Sequence, residues 1–417
     1  MKTLLLTSIM MTACFISCQS EDNSNDDTGS PIEGKIREDI KLTSAEEAMA
    51  EGNNTFAFAL LKNIAGAEKA GDHVFVSPLS AGLAFGMLGN GAAGATFDEI
   101  RQAFGFADEI SNEDINDYYC KMLTEMKAAD PYVTLESANS VWIRNGFPVL
   151  DAFVEVNRTK YDAEVRNENF SDPATLGLIN AWCADKTHGK IDRILDGISD
   201  DAIMYLLNAL YFKGIWSRTF DKGQTSDAGF TNEDGTVSSV PMMHQTLPLN
   251  YLKRPLFEMA EAPYGNGAFS MVFLLPAKGA TAASVVEGLD ASVWNDCLSQ
   301  LRQHELNLSL PRMSLKYDIK LNDVLQAMGV KSMFDPAKAD FSRINPEHPL
   351  YVSLVKQKTT LDINEEGSEA SAVTVVGMMY ASSVGAPATM VLNRPFLFFI
   401  KEKSTGVILF AGYVKKL

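Results

Sequence analysis

Ser77 and Ser80 in "FVSPLS", five scattered histidines and two acidic pairs are the residues here whose types could do chemistry. A nucleophilic hydroxyl needs a base to activate it. Neither serine sits in a Gly-x-Ser-x-Gly elbow, and no motif ties a histidine or aspartate to them. They read as the start of a helix and the filling of a tight core position. His73, His188, His244, His304 and His348 lack His-x-x-x-His or Glu-x-x-His spacing, so no metal site is expected. Asp200–Asp201 and Glu365–Glu366 are chain neighbours, which does not make an acid–base pair. "GNGAAG" at Gly89–Gly94 matches G-x-G-x-x-G, but a dinucleotide fingerprint follows a strand and opens a helix. The preceding "LSAGLAFGML" is helical in character, so a turn between helices is expected. Cys120, Cys183 and Cys297 are odd in number and widely spaced, which suits buried free thiols better than zinc or disulfides. No catalytic residue, metal or cofactor is expected.

One stretch is unusual for another reason. "EEGSEASAVTVVGMMYASSVGAPATMVLNRP" (Glu365–Pro395) carries no charge for twenty-four residues between Glu369 and Arg394, in a chain that is 21% charged. Ser, Gly, Thr and Pro387 dilute it, and long bulky residues are few, which argues against a membrane span. A buried strand suits Ala372–Val376 but not "YASSVGAPA", which reads as loop. The third reading is a loop able to become a strand. Ser368, Ala370, Ala372, Thr374 and Val376 share a face when extended. That face could slide into a sheet, and left exposed it would be an aggregation hazard.

The elements that must position this segment follow from periodicity. "SAEEAMAEGNNTFAFALLKNIAG" spaces Phe56, Leu60 and Ile64 as a helix does. "SPLSAGLAFGMLGNGAAG" has a Ser–Pro entry and a glycine exit. "TFDEIRQAFGF" suggests a capping box of Thr96 with Glu99, and "DPATLGLINAWCADKTHGK" a helix ending near Gly189. Strand-like runs dominate later: "VTLESANSVWIRNG", "AIMYLLNALYFKG", "FSMVFLLPAKG", "ELNLSLPRMSL", "TTLDINEEG" and "PFLFFIKEKSTGVILFAGYV". Helices first and strands interleaved later, without βαβ alternation, read as α+β with large mixed sheets.

The 417 residues, 46% hydrophobic, can bury a sizeable core. A net charge of −17, with no basic run longer than Lys415–Lys416, excludes nucleic acid as a partner. "MKTLLLTSIMMTACFISC" has Lys2, an apolar run and Ser17 before Cys18. It resembles a lipoprotein signal (1–18) whose cleavage leaves Cys18 as a lipid anchor, with Cys14 as an alternative site. "QSEDNSNDDTGS" after it resembles a surface-export signal of Bacteroidetes lipoproteins and opens an acidic, disordered tether (19–44). An ordinary cleaved secretion signal is the other reading. The chain is expected to be exported, at the outer membrane or cell surface, with the periplasm as the alternative.

Over residues 45–417, read as one domain, the chain resembles the serpin family. The motifs are "VFVSPLSAGLAFGMLGNGAAGATFDEI", "INAWCADKTHGKIDRIL", "LLNALYFKGIWSRTF" with Asn208 and Trp216, "DINEEGSEASA", and "NRPFLFFIKEKSTGVILFAGYV", in that order. The resemblance implies a serpin fold of three β-sheets, about nine helices and an exposed reactive-centre loop, here about 367–392. It implies a protease inhibitor, not an enzyme: the target attacks the loop, and the cut loop enters the central sheet as a strand. Inhibition by this route needs small residues in the hinge, which starts at the hinge glutamate Glu365, and Gly367, Ser368, Ala370, Ser371 and Ala372 match. The resemblance places the scissile bond at Ala381–Ser382, with Met379 or Tyr380 in alternative registers. Ala or Met suits elastase-like serine proteases and Tyr chymotrypsin-like ones; cysteine proteases and a non-inhibitory binding role are the alternatives. Ser77, Ser80, Asn208, Trp216 and Gln357 map to the region where the sheet opens. Gln357 stands where many members have His, and its amide is expected near Asn208 and Ser77. Nothing suggests a glycosaminoglycan cofactor, and a monomer is expected.

Overall fold

The computed structural model describes residues 37–67, 73–368 and 387–417. In chain order its helices are α1 (Ser44–Ala67), α2 (Pro78–Gly89), α3 (Gly94–Ala103), α4 (Asn112–Ala128), α5 (Asp151–Tyr161), α6 (Pro173–Lys186), α7 (Ala282–Gly288), α8 (Ala291–Gln300) and α9 (Asn322–Ala327). The strands begin with β1 (His73–Val76), β2 (Val133–Arg144), β3 (Ala163–Glu168), β4 (Met204–Ile215), β5 (Ser226–Thr231), β6 (Val237–Lys253), β7 (Phe257–Pro263) and β8 (Phe269–Pro276). They continue with β9 (Arg302–Pro311), β10 (Met313–Lys320), β11 (Lys356–Ile363), β12 (Gly367–Ser368), β13 (Ala388–Val391), β14 (Phe396–Glu402) and β15 (Ile408–Val414). The α+β expectation is borne out, with nine α-helices among the described residues.

The strands form a six-stranded sheet, β10-β11-β12-β4-β2-β3, and a nine-stranded set, β1-β15-β14-β8-β7-β6-β9-β13 with β5 on β6. This set joins strands that could stand as two sheets, because β6 runs unbroken for 17 residues and pairs with β5, β7 and β9 along its length. In the six-stranded sheet, alternation decides what lies on each face. Odd residues of β11, from Gln357 to Ile363, are buried. Leu207 and Ala209 of β4 pack with Trp142, Ile179, Trp182 and Cys183, so α6 covers one face. α2, between β4 and β15, covers the other.

Local signals explain where α2 begins. Ser77 Oγ accepts from Ser80 N (3.1 Å), and Pro78 occupies the first turn, where a missing N–H costs nothing. The "GNGAAG" run is the turn between α2 and α3, as expected. The capping box at Thr96 and Glu99 is not formed. α3 starts earlier, at Gly94, and tertiary partners take both side chains. Thr96 Oγ1 accepts from Asp340 N (2.9 Å), and Glu99 accepts from Lys331 N (2.7 Å), Ser332 N (2.6 Å) and Ser332 Oγ (2.6 Å).

Two further expectations are corrected. Residues 37–43, placed in the tether, belong to the packed domain. Ile40 is buried with its N–H on Ser404 Oγ (2.9 Å), and Thr43 with Glu46 forms the cap of α1. The apolar Ile40 and Leu42 supply what the acidic residues before them lack. Of the thiols, Cys183 and Cys297 are buried but Cys120, on α4, is only half-buried. Among the described residues no helix is long and apolar enough to cross a membrane.

Candidate functional site

The end of β11 turns back through Asn364–Glu366 and becomes β12, a two-residue strand lodged between β11 and β4. Gly367 pairs with Ile215, and Ser368 with Gly214 on one side and Ile363 on the other. This entry is held by residues from far away in the chain. Trp216 donates its N–H to Glu366 O (2.9 Å) and its indole Nε1 to Asn364 O (3.0 Å). Phe220 N donates to Glu365 O (2.8 Å). The Glu365 carboxylate is buried, and accepts from Thr225 Oγ1 (2.7 Å) and from Arg312 Nη2. Burial alone would push its pKa up, but Arg312 and Thr225 outweigh that and hold it below the ordinary value. Lys222 Nζ reaches Glu366 (2.6 Å).

Gly367 is required by both conformation and space. Its φ is +152°, and a Cβ there would lie 2.0 Å from Gly214 O, inside the backbone of β4. Ser368 is fully buried, its Oγ 2.6 Å from Tyr264 Oη. Tyr264 stacks on Trp216 with ring centroids 4.4 Å apart and is sealed from solvent, which raises its pKa well above the usual phenol range. A small hydroxyl side chain is what this position can accept.

Beyond Ser368, β4 and β11 are not paired to each other, and a cavity of about 360 Å³ lies between them. One wall is β4 from Met204 to Asn208; the other is the segment 349–355 with Lys356 and Gln357. α2 lines it through Ser80, Ala81, Ala84, Phe85 and Leu88. At its upper end Gln357 clasps Ser77: Oε1 accepts from Ser77 N (2.9 Å), and Nε2 donates to Ser77 O (2.9 Å). Ser77 Oγ donates to Leu409 O (2.7 Å), tying β11, α2 and β15 together.

The amide of Gln357 was expected near both Ser77 and Asn208, and both of its bonds go to Ser77. Asn208 Nδ2 turns instead to Ser137 Oγ (3.0 Å) and Asn139 Oδ1 (2.6 Å). Its Oδ1 is buried and finds no partner among the described residues. Gln357→Leu should cost about 1–3 kcal/mol, because it strands the buried Ser77 N–H while Ser77 O keeps its bond from Ala81 N. Urea denaturation measures this, and a loss below a few tenths would contradict the clasp.

The structure thus brings Glu365, Gly367, Ser368 and Trp216 together at the entry, and Ser77, Ser80 and Gln357 with Asn208 around the cavity. Ala370, Ala372, Met379, Tyr380, Ala381, Ser382 and Cys18 lie outside the described residues. Sequence reasoning missed Tyr264, Arg312, Thr225 and Asn364. Only Asn364 carries a local signal, since it sits in the turn between two strand halves and its Oδ1 accepts from Glu366 N (2.9 Å).

Two residues of the segment that follows β11 thus lie as a strand inside the six-stranded sheet, with a cavity beyond them between β4 and the start of β11. The family model described as Serpin (serine protease inhibitor) matches residues 51–417, and the chain belongs to the serpin family. Iripin-5 from the tick Ixodes ricinus is 32% identical over 378 residues, covering 89% of this chain and 95% of that protein. Intracellular coagulation inhibitor 2 from the horseshoe crab Tachypleus tridentatus is 30% identical, covering 90% and 93%. Among solved structures, the thermophilic serpin tengpin in its native state has a TM-score of 0.80 at 29% identity, covering 94% of this chain and all of that one. Human thyroxine-binding globulin has 0.82 at 26%, covering 90% and all of that chain.

Proposed function

We propose that this serpin is an inhibitor that traps elastase-like or chymotrypsin-like serine proteases by taking its cleaved loop into the six-stranded sheet. The observation that carries the reading is β12: Gly367 and Ser368 already occupy the lane between β4 and β11, with a cavity continuing it. In the register of Ser368, even-numbered residues face inward. Thr374 would fall opposite Asn208 and Gln357, where its hydroxyl could donate to the unpartnered Asn208 Oδ1. Met378 would fall opposite Met204, at the far end of the cavity wall.

The chemistry belongs to the protease. Its serine oxygen attacks the carbonyl carbon of Ala381, and the Ala381–Ser382 bond breaks. The new amine leaves on Ser382 with the proton, and an ester joins protease to Ala381. Residues 369–381 then enter the lane before water reaches that ester. Each gains hydrogen bonds on two sides, and no charge is buried after Glu369, which faces outward by alternation.

Incubation with elastase, chymotrypsin, trypsin and subtilisin tests this. An SDS-stable complex with one of the first two, and a released peptide beginning at Ser382, is expected. Cleavage by all four without a stable complex would overturn the inhibitor reading in favour of a binding role.

We also propose that the chain is exported and anchored through lipid on Cys18, a reading that rests on the N-terminal sequence; the tick and horseshoe crab relatives named above are animal proteins. Cys18→Ser should abolish incorporation of labelled palmitate in a bacterial host and release the protein from membranes. Labelling that persists would point to Cys14 instead.

A further inference from the structure

The connection from α6 to β4, residues 187–203, crosses the seam between β4 and β11 and is fastened on both sides. On the β2 side the fastenings include bonds to its own backbone: Arg144 Nε donates to Ala202 O (2.7 Å), and Arg144 Nη2 to Asp200 O. His188 Nε2 also lies 2.8 Å from Glu136 Oε2, its ring 4.6 Å from that of Tyr211. On the β11 side the fastenings are ionic. Lys190 Nζ is 2.7 Å from Asp362 Oδ2, and Lys356 Nζ is 2.7 Å from Asp196 Oδ2. Between these points Ile194, Leu195, Ser199 and Ala202 line the cavity opposite α2.

We infer that this strap is an electrostatic latch over the strand lane, hinged at β2 and released at β11. The inference rests on the reading that the lane receives residues 369–381. A new strand needs about 4.7–4.9 Å on each side, so β11 must shift relative to β4 along the whole seam. The strap, held at β2, cannot follow both edges. The backbone bonds of Arg144 are little affected by salt. The pairs to Asp362 and Asp196 are part-exposed on at least one partner and are screened. Lys356 is nearly buried and also held by Asp318 (3.3 Å), so Asp196 is the partner that departs. The latch thus opens on its charged side, and ionic strength sets how often.

Amide hydrogen exchange on the full chain, with no protease present, is the test. The variant carrying Lys190→Gln and Asp196→Asn should exchange residues 204–208 and 352–357 about two- to thirtyfold faster than wild type, the range two such pairs supply. Wild type in about 1 M salt should approach the variant, where the Debye length falls to about 3 Å, and the variant should lose its salt response. Lys253→Gln, which removes the Lys253–Glu258 pair of β6 and β7 (2.8 Å), should leave the seam unchanged. Equal exchange in variant and wild type would overturn the latch, as would faster exchange spread equally over the nine-stranded set. With an elastase or chymotrypsin that the wild type traps, the variant should form complex faster by a similar factor. An unchanged rate there would also overturn it. A wild type that traps nothing would overturn the inhibitor reading, while the exchange result still decides whether the strap holds the seam.

Discussion

On the proposed mechanism, Ser368→Arg will turn an inhibitor into a substrate. Ser368 is the first residue whose side chain lies under the sheet, fully buried, with its hydroxyl on Tyr264 and its backbone between Gly214 and Ile363. A guanidinium there would be taken out of water against the Tyr264 ring, and burying a charge without a matched partner costs several kcal/mol. The chain avoids that cost by leaving β12 unformed, so strand entry stalls at its first step. The ester then hydrolyses before the protease is carried away. Stable complex per cleaved molecule should fall about a hundredfold or more, with cleavage at the same bond and unchanged circular dichroism. Ser368→Ala should keep most of the trapping, since it loses one hydrogen bond and adds no charge. Equal complex yields for Ser368→Arg and wild type would overturn insertion as the mechanism.

Lys401→Met should cost about 3–5 kcal/mol of stability, though it touches neither hinge nor lane. Lys401 and Glu261 form an ion pair at 2.9 Å, both almost fully buried in the nine-stranded set. Burial opposes the Glu261 charge, but Lys401, Asn250 and Ser270 overcome it and hold the pKa at about 2, below its ordinary 4.5. Because the folded pKa is depressed, the pair's contribution is complete above about pH 4.5 and is lost as pH falls towards 2. In the variant, Glu261 keeps the burial without the cation, so its pKa rises. A raised pKa contributes stability at low pH that is lost as pH increases. The gap between wild type and variant in urea melts should therefore narrow as pH falls from about 6 to about 3. Adding Glu261→Gln should return most of the loss by removing the stranded charge while keeping an acceptor for Ser270. A gap that stays constant with pH would mean the loss comes from packing alone.

The hinge was read from the resemblance to serpin motifs, and the two of its small residues that the structure describes sit where space is short. Gly367 is small where β4 leaves no room for a Cβ, and Ser368 is small where Tyr264 closes the space. Periodicity placed α1, α2 and α6 and the longer strands, because core-facing residues recur at helix or strand spacing whatever they pack against. Thr96 and Glu99 show the limit. Their spacing satisfies a local rule, but Asp340, Lys331 and Ser332 compete for the same oxygens and win. Gln357 was placed correctly beside Ser77 and not bonded to Asn208, since nothing in the local sequence says which of two nearby amide partners is in reach.

By itself the sequence determined that a long uncharged segment of small residues follows a strand, and that the motifs around it belong to the serpin family. Those are statements about composition and order, which local chemistry expresses directly. Only the tertiary structure decided that a cavity lies between β4 and the start of β11, that the Ser368 side chain is buried, and what holds Glu365 in place. Thr225, Tyr264 and Arg312 reach the hinge from 140, 104 and 53 residues away. Partners at such separations leave no periodicity in the chain, so their meeting is a property of the fold.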